Sequence, residues 1–452
     1  MPKYLFYSDC GNALGAAIKV KSEGGTVAMW TKDPKCSSTG KGLIDSIYDW
    51  KFTPDAETVN VFDTTNFGHM ADLYRLGNLP TVGGSMISDR LEMDRQFAKK
   101  IMAEAGISTP HSKQFKDWES GEEYVKANKG KRLALKPGEM LSGNLPSHVS
   151  DKEFPTEDLC GLIDHYSRTF AGDVDYEIQD FVSGVALSTA GWFDGDDWLE
   201  PAYNTIENKA MNDGNRGGTT GCAGNVLFQC EGWVFGETLY KLRDPLRRLG
   251  FIGLIDINCI VDAENKKVYG LEFTPRFGFD SEPAMFMIGM NQEVGKFLSD
   301  FANGQAYELP MKSGYTAGIR ITIPPHPSDC ESAPSGLPVL GVSEKDLTEW
   351  MYAYDLMLSS DGRLITSGSY GLIGVVCAHG DDARKTMQEA TDRCKQVHVS
   401  EAQYRLDLSE VFSKDLKELG LSDISDSTEE EHPAERKEVA KKERPLFLAS
   451  SR

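Results

Sequence analysis

Apolar runs alternate with small-residue turns and helical stretches at the start of the chain. Residues 3–9 (KYLFYSD) are mostly apolar, and the glycines and alanines of 11–17 follow them directly. Further apolar runs at 26–30 and 59–62 predict the strands of a doubly wound α/β unit. The polar residues 63–66 (DTTN) come directly after the last run, at the strand end where α/β sheets place ligands.

The middle of the chain changes to a mixed pattern. Its predicted elements are an amphipathic helix at 89–106, strands at 112–115 and 132–136 around a helix at 117–128, a helix at 155–170, a strand at 176–182 and a hairpin over 185–203. Residues 212–225 (NDGNRGGTTGCAGN) are polar and rich in glycine. This composition predicts a long loop, ordered or disordered, rather than a regular element.

A second hairpin is predicted by the apolar runs at 254–261 and 267–273, which flank a polar turn. Asp256 lies inside its first strand and Glu272 near the end of its second. A carboxylate in a mostly apolar strand costs several kcal/mol to bury unless it is paired or binds a cation. Two of them on neighbouring strands can converge on magnesium, and Arg276 just beyond can reach an anionic ligand. The alternative is a surface hairpin whose acids face solvent.

The last part of the chain begins near residue 315. Apolar runs at 317–323, 350–357 and 371–378 predict strands, and 381–396 predicts a helix, which together make a compact α+β module. From residue 420 onward Ser, Asp, Glu and Lys dominate, as is typical of a solvated, disordered tail.

Composition narrows the class of protein. The 452 residues are enough for two to four domains, and the net charge of −21 argues against nucleic acid or a membrane surface as partner. The apolar stretches are shorter than the roughly 20 residues of a membrane span, and the first residues do not read as a signal peptide. The nine cysteines are scattered without a CxxC pair, which favours reduced thiols and a cytoplasmic location.

In their order, these pieces resemble the ATP-grasp superfamily and, within it, the phosphoribosylamine–glycine ligase (glycinamide ribonucleotide synthetase) family. The resemblance covers residues 1 to about 410. It is carried by SDRLEMDRQFAKKIMAEAGIST, YEIQDFVSG, TTGCAG, GLEFTPRFG and DGRLITSGSYGLIGVVCAHGDDARKTMQEA. It implies an α/β and α+β multidomain fold: a Rossmann-like domain at 1–88, an ATP-grasp domain at 89–310 with a nucleotide-covering subdomain at 108–182, a small C-terminal α+β domain at 311–412 and a charged, disordered tail at 413–452.

The resemblance also implies roles for individual residues. The catalytic residues are Lys136 and Arg276. Nucleotide contacts are implied for Arg95, Lys136, Gln179, Asp180, Phe181 and Val182, the last four as a hinge against the adenine. Substrate contacts are implied for Gly11, Asn12, Lys209, Thr220, Gly221 and Arg276. The implied magnesium ligands are Asp256, Glu272 and Thr274.

Some positions depart from the family pattern. Thr274 stands where the family has an asparagine ligand, and Val185-Ala186 where it has a ribose-binding glutamate. Residues 138–144 replace a glycine-rich loop with GEMLSGN. The substrate segments read ENKA at 207–210 and TTGCAG at 219–224.

The resemblance implies an ATP- and Mg2+-dependent carboxylate–amine ligase. Transfer of the γ-phosphoryl group turns a carboxylate into an acyl phosphate, which an amine attacks. The partners expected are a small-molecule amine and carboxylate, with glycine and 5-phosphoribosylamine first, and the chain is expected to be a monomer or homodimer. The alternatives are a related ligase for another amino acid or amine, and a non-catalytic nucleotide-binding homologue.

Overall fold

The computed structural model describes residues 2–46, 54–138, 145, 147–170, 172–230, 232–278, 280–328 and 332–421. The chain begins with a five-stranded parallel sheet in the order β3-β2-β1-β4-β5. Its elements are β1 (Lys3–Ser8), α1 (Leu14–Ser22), β2 (Thr26–Thr31), β3 (Asp45–Ser46), β4 (Thr58–Phe62), α2 (Gly68–Leu76) and β5 (Thr81–Val82). The α/β unit predicted from the apolar runs is therefore confirmed.

The amphipathic stretch at 89–106 is two helices, so its prediction as one helix was wrong. They are α3 (Met86–Met93) and α4 (Arg95–Glu104). Asp94 separates them with a non-helical ψ of 88°, and its carboxylate accepts a hydrogen bond from the Phe97 N–H at 2.9 Å. The aspartate caps α4 instead of continuing α3, which is the preference of short polar side chains at helix starts. This break places Arg95 at the first position of α4.

A small four-stranded antiparallel sheet with two helices follows. Its elements are β6 (Ser112–Phe115), α5 (Trp118–Ala127), β7 (Leu133–Pro137), β8 (His148–Val149), α6 (Pro155–Thr169) and β9 (Tyr176–Asp180), and the strand order is β6-β9-β7-β8. It has its own core, in which the Trp118 and Tyr176 rings stack with centroids 4.6 Å apart. The β7–β9 register places Lys136 opposite Glu177.

A large eight-stranded sheet holds most of the remaining chain, in the order β14-β13-β10-β11-β12-β15-β19-β16. Its strands and the two-stranded β17–β18 pair are β10 (Val185–Phe193), β11 (Trp198–Asn212), β12 (Arg216–Gln229), β13 (Gly253–Asp262), β14 (Lys267–Thr274), β15 (Tyr315–Thr322), β16 (Met351–Ala353), β17 (Leu356–Leu358), β18 (Leu364–Thr366) and β19 (Leu372–Gly380). The helices are α7 (Gly232–Glu237), α8 (Leu239–Leu249), α9 (Ser281–Ala284), α10 (Val294–Ala302), α11 (Asp346–Glu349), α12 (Ala383–Cys394) and α13 (Leu408–Glu418). Strands on both sides of the proposed 310/311 division pair in this one sheet.

The glycine-rich stretch 212–225 is not a loop, which corrects the sequence expectation. Most of it is β12, paired with β11, and only residues 213–215 form the turn between the two strands. Gly214 and Asn215 have φ of 72° and 56°, the left-handed values that a tight turn needs. Two register shifts in β11 absorb the irregular spacing.

The tip of this hairpin is tied to the end of the chain by Arg405, which is fully buried. Its guanidinium donates to the Ala210 carbonyl at 3.1 Å and to the Asn215 side chain at 2.9 Å. It also donates to the Asp407 carboxylate at 2.8 Å, and that carboxylate accepts the Gly214 N–H at 2.8 Å. A segment far away in sequence therefore fixes the stretch of β11 that carries Lys209.

The expected disordered tail from 413 is wrong for its first residues. Helix α13 continues to Glu418, and Phe412 and Leu416 on it are buried against the core. These two apolar residues are four positions apart, which is helical spacing, but the residues around them are mostly polar or charged. The rest of that prediction, from 422 onward, lies outside the described residues. None of the helices the structure describes has the length and apolar character of a membrane span.

Candidate active site

Lys136 lies near the end of β7, close to two other cations. Burial lowers the pKa of Lys136, and the neighbouring cations Arg95 and Lys99 act in the same direction, whereas Glu272 and Glu177 oppose them. Three cations thus surround one place on the small sheet. A partly buried cluster of cations is stabilised when an anion such as a phosphate binds to it.

Glu177 holds two of these cations, Arg95 and Lys99, in position. Only 3% of its side chain is exposed, and its carboxylate bridges Lys99 and Arg95, the latter at 3.5 Å. Burial opposes its ionisation, but Lys99, Arg95 and Lys136 together keep the pKa of Glu177 below its usual range. Glu177 balances part of the charge of these cations, and Glu272 also acts on Lys136. The predicted nucleotide contacts Arg95 and Lys136 are thus neighbours, and Lys99 and Glu177 are members that sequence reasoning missed.

A cleft of about 300 Å³ opens beside this cluster. Its lining comes from the junction of α3 and α4 and from the facing ends of β7 and β9: Glu92, Met93, Asp94, Arg95, Gln96, Gln114, Lys136, Pro137, Gly138, Asp175, Tyr176 and Glu177. Gly138 lines this cleft, and the rest of the predicted loop, residues 139–144, lies outside the described residues.

The predicted hinge residues lie at the other end of β9. Gln179 is buried on the same face as Glu177 and pairs with Ala134 rather than Lys136. Phe181 is 38% exposed, and the Arg132 guanidinium lies 3.8 Å from its ring centre. Asp180 and Val182 flank this ring in sequence. The structure therefore does not bring 179–182 to the lining of the 300 Å³ cleft, and their contact with adenine stays a prediction.

The predicted metal ligands share one face of the large sheet. In the β13–β14 ladder Asp256 pairs with Thr274 and Asn258 with Glu272, so these four side chains are close neighbours. Asn258 donates to the Thr274 hydroxyl at 3.4 Å. Glu272 is exposed, and its negative charge opposes the lowering of the pKa of Lys136. Asn258 is an oxygen donor that the sequence reasoning had not selected.

Whether a cation fits this face can be judged from the buried polar atoms on it that lack a hydrogen-bond partner. Asp256 Oδ1 is buried and has no hydrogen-bond partner among the described residues. Burial, together with Glu207 and Glu282, raises the pKa of Asp256 well above its usual value. Lys209 offsets this shift only in part, and a hard divalent cation with oxygen ligands would supply further positive charge. Within the described ranges, however, no three His, Cys, Asp or Glu side chains are grouped closely enough to hold a metal by themselves.

Arg276 is linked to the lining of the 300 Å³ cleft through Glu92. Its guanidinium donates to the Glu92 carboxylate at 3.0 Å and to the Phe277 carbonyl at 3.1 Å. Burial raises the pKa of Glu92, and Arg276 counters this shift. Glu92 therefore positions Arg276. The sequence pattern SDRLEMDR, which includes Glu92, does not predict this role.

Two of the predicted substrate residues meet at a second, narrow cleft. Asn12 and Arg276 both line it, and the Asn12 carbonyl accepts a hydrogen bond from the Tyr352 hydroxyl at 2.9 Å. Gly11, by contrast, has a φ of 82°, and a Cβ there would lie 2.8 Å from the Thr39 methyl group. Its glycine is explained by backbone conformation and packing, so a substrate contact remains only a prediction.

The remaining predicted substrate residues lie on the β11–β12 hairpin. Burial disfavours the charge of Lys209, but Glu207 and Glu272 overcome this and raise the pKa of Lys209. Lys209 is thus brought to the carboxylate face of the sheet. The Thr220 hydroxyl is buried without a partner among the described residues, and Gly221 is exposed. The structure gives neither of these two a defined contact with the site.

The comparisons with known structures define the class of fold. A solved phosphoribosylamine–glycine ligase from Thermotoga maritima covers 89% of this chain and 99% of its own, with a TM-score of 0.67 at 16% identity. The biotin carboxylase domain of a 2-oxoglutarate carboxylase from Hydrogenobacter thermophilus, solved with MgADP and bicarbonate, covers 93% of this chain and 98% of its own, with a TM-score of 0.60 at 13% identity. The chain has the multidomain α/β fold of ATP-grasp enzymes.

Sequence comparison gives the more specific likeness. The curated phosphoribosylamine–glycine ligase of Lactococcus lactis is 24% identical over 357 residues, which are 76% of this chain and 82% of that protein. No family model matches the chain. The resemblance to the phosphoribosylamine–glycine ligases is therefore confirmed over most of the chain.

Proposed function

We propose that this protein is an ATP-dependent carboxylate–amine ligase that joins glycine to 5-phosphoribosylamine and releases ADP and phosphate. The observation that carries the proposal is the cluster of the partly buried cations Arg95, Lys99 and Lys136 around the buried Glu177, with the charge of Glu272 also acting on Lys136. This arrangement supplies positive charge on one side and oxygen ligands on the other, as transfer of a phosphoryl group requires.

The residues of the chain have separate tasks in this reaction. Lys136 binds a phosphate of ATP and neutralises charge that develops as the γ-phosphoryl group moves. Arg276, held by Glu92, orients the carboxylate that receives it and then the acyl phosphate. Asp256, Glu272 and Thr274, with Asn258 beside them, would hold Mg2+. When bound, the ion neutralises phosphate charge and keeps the phosphates in one orientation.

The proposal predicts that ADP forms rapidly only when glycine and phosphoribosylamine are both present with ATP and Mg2+. The amine can be generated in the assay from ribose 5-phosphate and ammonia. ADP is measured by a coupled enzyme assay, and the amide product is identified by mass spectrometry. A second set of reactions replaces glycine with other amino acids, and ribose 5-phosphate with other amine sources. Absence of ADP with all combinations, despite thermal stabilisation by ATP, would instead establish a non-catalytic nucleotide-binding protein.

The metal assignment predicts a changed Mg2+ requirement in Glu272→Gln. We expect the Mg2+ concentration for half-maximal activity to rise by about 10-fold or more, since outer-shell changes alone cost about 10–100-fold in metal affinity. The matched control is Glu264→Gln, which changes an exposed glutamate in the turn of the same hairpin. Equal Mg2+ dependence in both variants and the wild type would exclude Glu272 as a ligand.

A further inference from the structure

The polar residues after β4 have no part in the function described so far, and the first of them is Asp63. It is buried, with 4% of its surface exposed, at the carboxyl end of a parallel strand. One carboxylate oxygen, Oδ2, accepts a hydrogen bond from the Ser8 hydroxyl. The other, Oδ1, has no partner within the part of the chain that the structure describes. A buried carboxylate oxygen without a donor is unfavourable unless a ligand completes it.

Asp63 lines the narrow cleft into which Arg276 and Asn12 also point. Tyr352 and Tyr354 form part of the opposite wall. The space inside is about 10 Å³, which is room for about one water-sized group. A cleft of this size admits the reacting end of a substrate, such as an amino group, rather than a whole molecule. The aspartate thus faces a place where a small polar group meets the arginine assigned to the acyl phosphate.

The surroundings of Asp63 place its ionisation in the neutral range. Burial raises the pKa of Asp63 to about 7, with Asp9 adding to the shift, while the Ser8 hydroxyl, the Ala13 N–H and the Arg276 charge oppose it.

The other titratable groups that face Asp63 are Cys10, Tyr352, Tyr354 and Glu282. Burial keeps the thiol and both phenols neutral, and it raises the pKa of Glu282 as well. A base with a pKa close to the working pH is the most effective in proton transfer.

We propose that Asp63 is the general base that takes the proton from the amine as it attacks the acyl phosphate. This inference rests on the proposed ligase function. In the step, the amine nitrogen forms a bond to the acyl carbon, the bond from that carbon to the phosphate oxygen breaks, and phosphate leaves. One N–H proton passes to Oδ1 of Asp63. Arg276 in the same cleft stabilises the negative charge that remains on the departing phosphate.

A purely structural role accounts for these observations less well. A carboxylate that served only to fix Ser8 would need one oxygen, and an asparagine or threonine would do so without the cost of burying a charge. Because the folded-state pKa of Asp63 is raised, its contribution to stability is greatest at acid pH and falls as pH rises through about 7. Ionised Asp63 therefore destabilises the fold at neutral pH, which is typical of groups kept for function.

The test compares Asp63→Asn with the wild type in two reactions. The first is amide formation with phosphoribosylamine. The second replaces that amine with hydroxylamine, a strong neutral nucleophile that traps acyl phosphates as hydroxamates without a base. We expect kcat for amide formation to fall by on the order of 10²-fold or more, while hydroxamate formation from ATP and glycine continues at close to the wild-type rate. The wild-type kcat should rise with pH through about 7, and the variant should lack this rise.

The outcomes separate the two levels of the argument. If the wild type forms neither hydroxamate nor amide, the ligase function fails. If the wild type forms both and Asp63→Asn keeps the amide rate and its pH profile, the base assignment fails. A higher KM for the amine with an unchanged pH profile also overturns it, because Asp63 would then only bind the amine. Thermal unfolding should show Asp63→Asn at least as stable as the wild type, and Asp55→Asn, at an exposed site before β4, is the matched control for the substitution.

Discussion

Lys136→Met is expected to lower kcat/KM for ATP by on the order of 10²–10³-fold, the loss usual when one preorganised donor to a developing charge is removed. Methionine keeps the length and packing of the side chain but removes the ammonium group. Arg95 and Lys99 remain, but both are already engaged by Glu177, so they replace it poorly. The measurement is a coupled ADP assay at saturating glycine and amine over a range of ATP concentrations.

The same variant should not lose stability. Burial lowers the pKa of Lys136, so the folded protein is less favourable with this lysine charged, and a neutral methionine relieves that cost. Lys129→Met, at an exposed position on the same small domain, is the control and should behave as the wild type in both measurements. If Lys136→Met unfolds at a much lower temperature or keeps full activity, Lys136 is a structural residue.

The β13–β14 hairpin could be predicted as a site because it has a carboxylate within a strand whose other residues are mostly apolar. Asp256 interrupts an apolar run, and a period of two places it on the same face as Asn258. The short turn between the strands brings Glu272 of β14 to the same face. What the sequence does not contain is the register, which pairs Asp256 with Thr274 and not with Glu272.

Other parts of the site were not predictable because they depend on contacts distant in sequence. Glu177 looks like an ordinary strand residue until α4 brings two cations to it, and Glu92 acquires its role only through Arg276, 184 positions away. The glycine content of 212–225 predicts a loop, but the stretch forms a hairpin because β12 pairs with β11. Its pairing is fixed by Arg405, which no local pattern discloses.

The buried ion pair between Arg320 and Asp280 should have the largest effect on stability. Arg320, on β15, donates through Nε and Nη2 to one carboxylate oxygen at 3.1 and 2.9 Å, and the two side chains are 3% and 0% exposed. Arg320→Met leaves the Asp280 charge uncompensated, which typically costs about 3–5 kcal/mol of the free energy of unfolding. Urea unfolding followed by fluorescence measures this difference.

The effect should depend on pH and on the partner. Burial already raises the pKa of Asp280, and without the guanidinium it rises further, so stability is lost as pH increases and the deficit should be larger at pH 8 than at pH 5. The double variant with Asp280→Asn should recover part of the loss, because the isolated charge is gone. Arg363→Met breaks an exposed ion pair with Asp361 and should have little effect on stability.

Since Asp280 follows Arg276 by four residues, Arg320→Met should also reduce ligase activity in conditions where the protein remains folded. If stability were lost and activity per folded molecule stayed unchanged, the segment that carries Arg276 would be held by Glu92 alone.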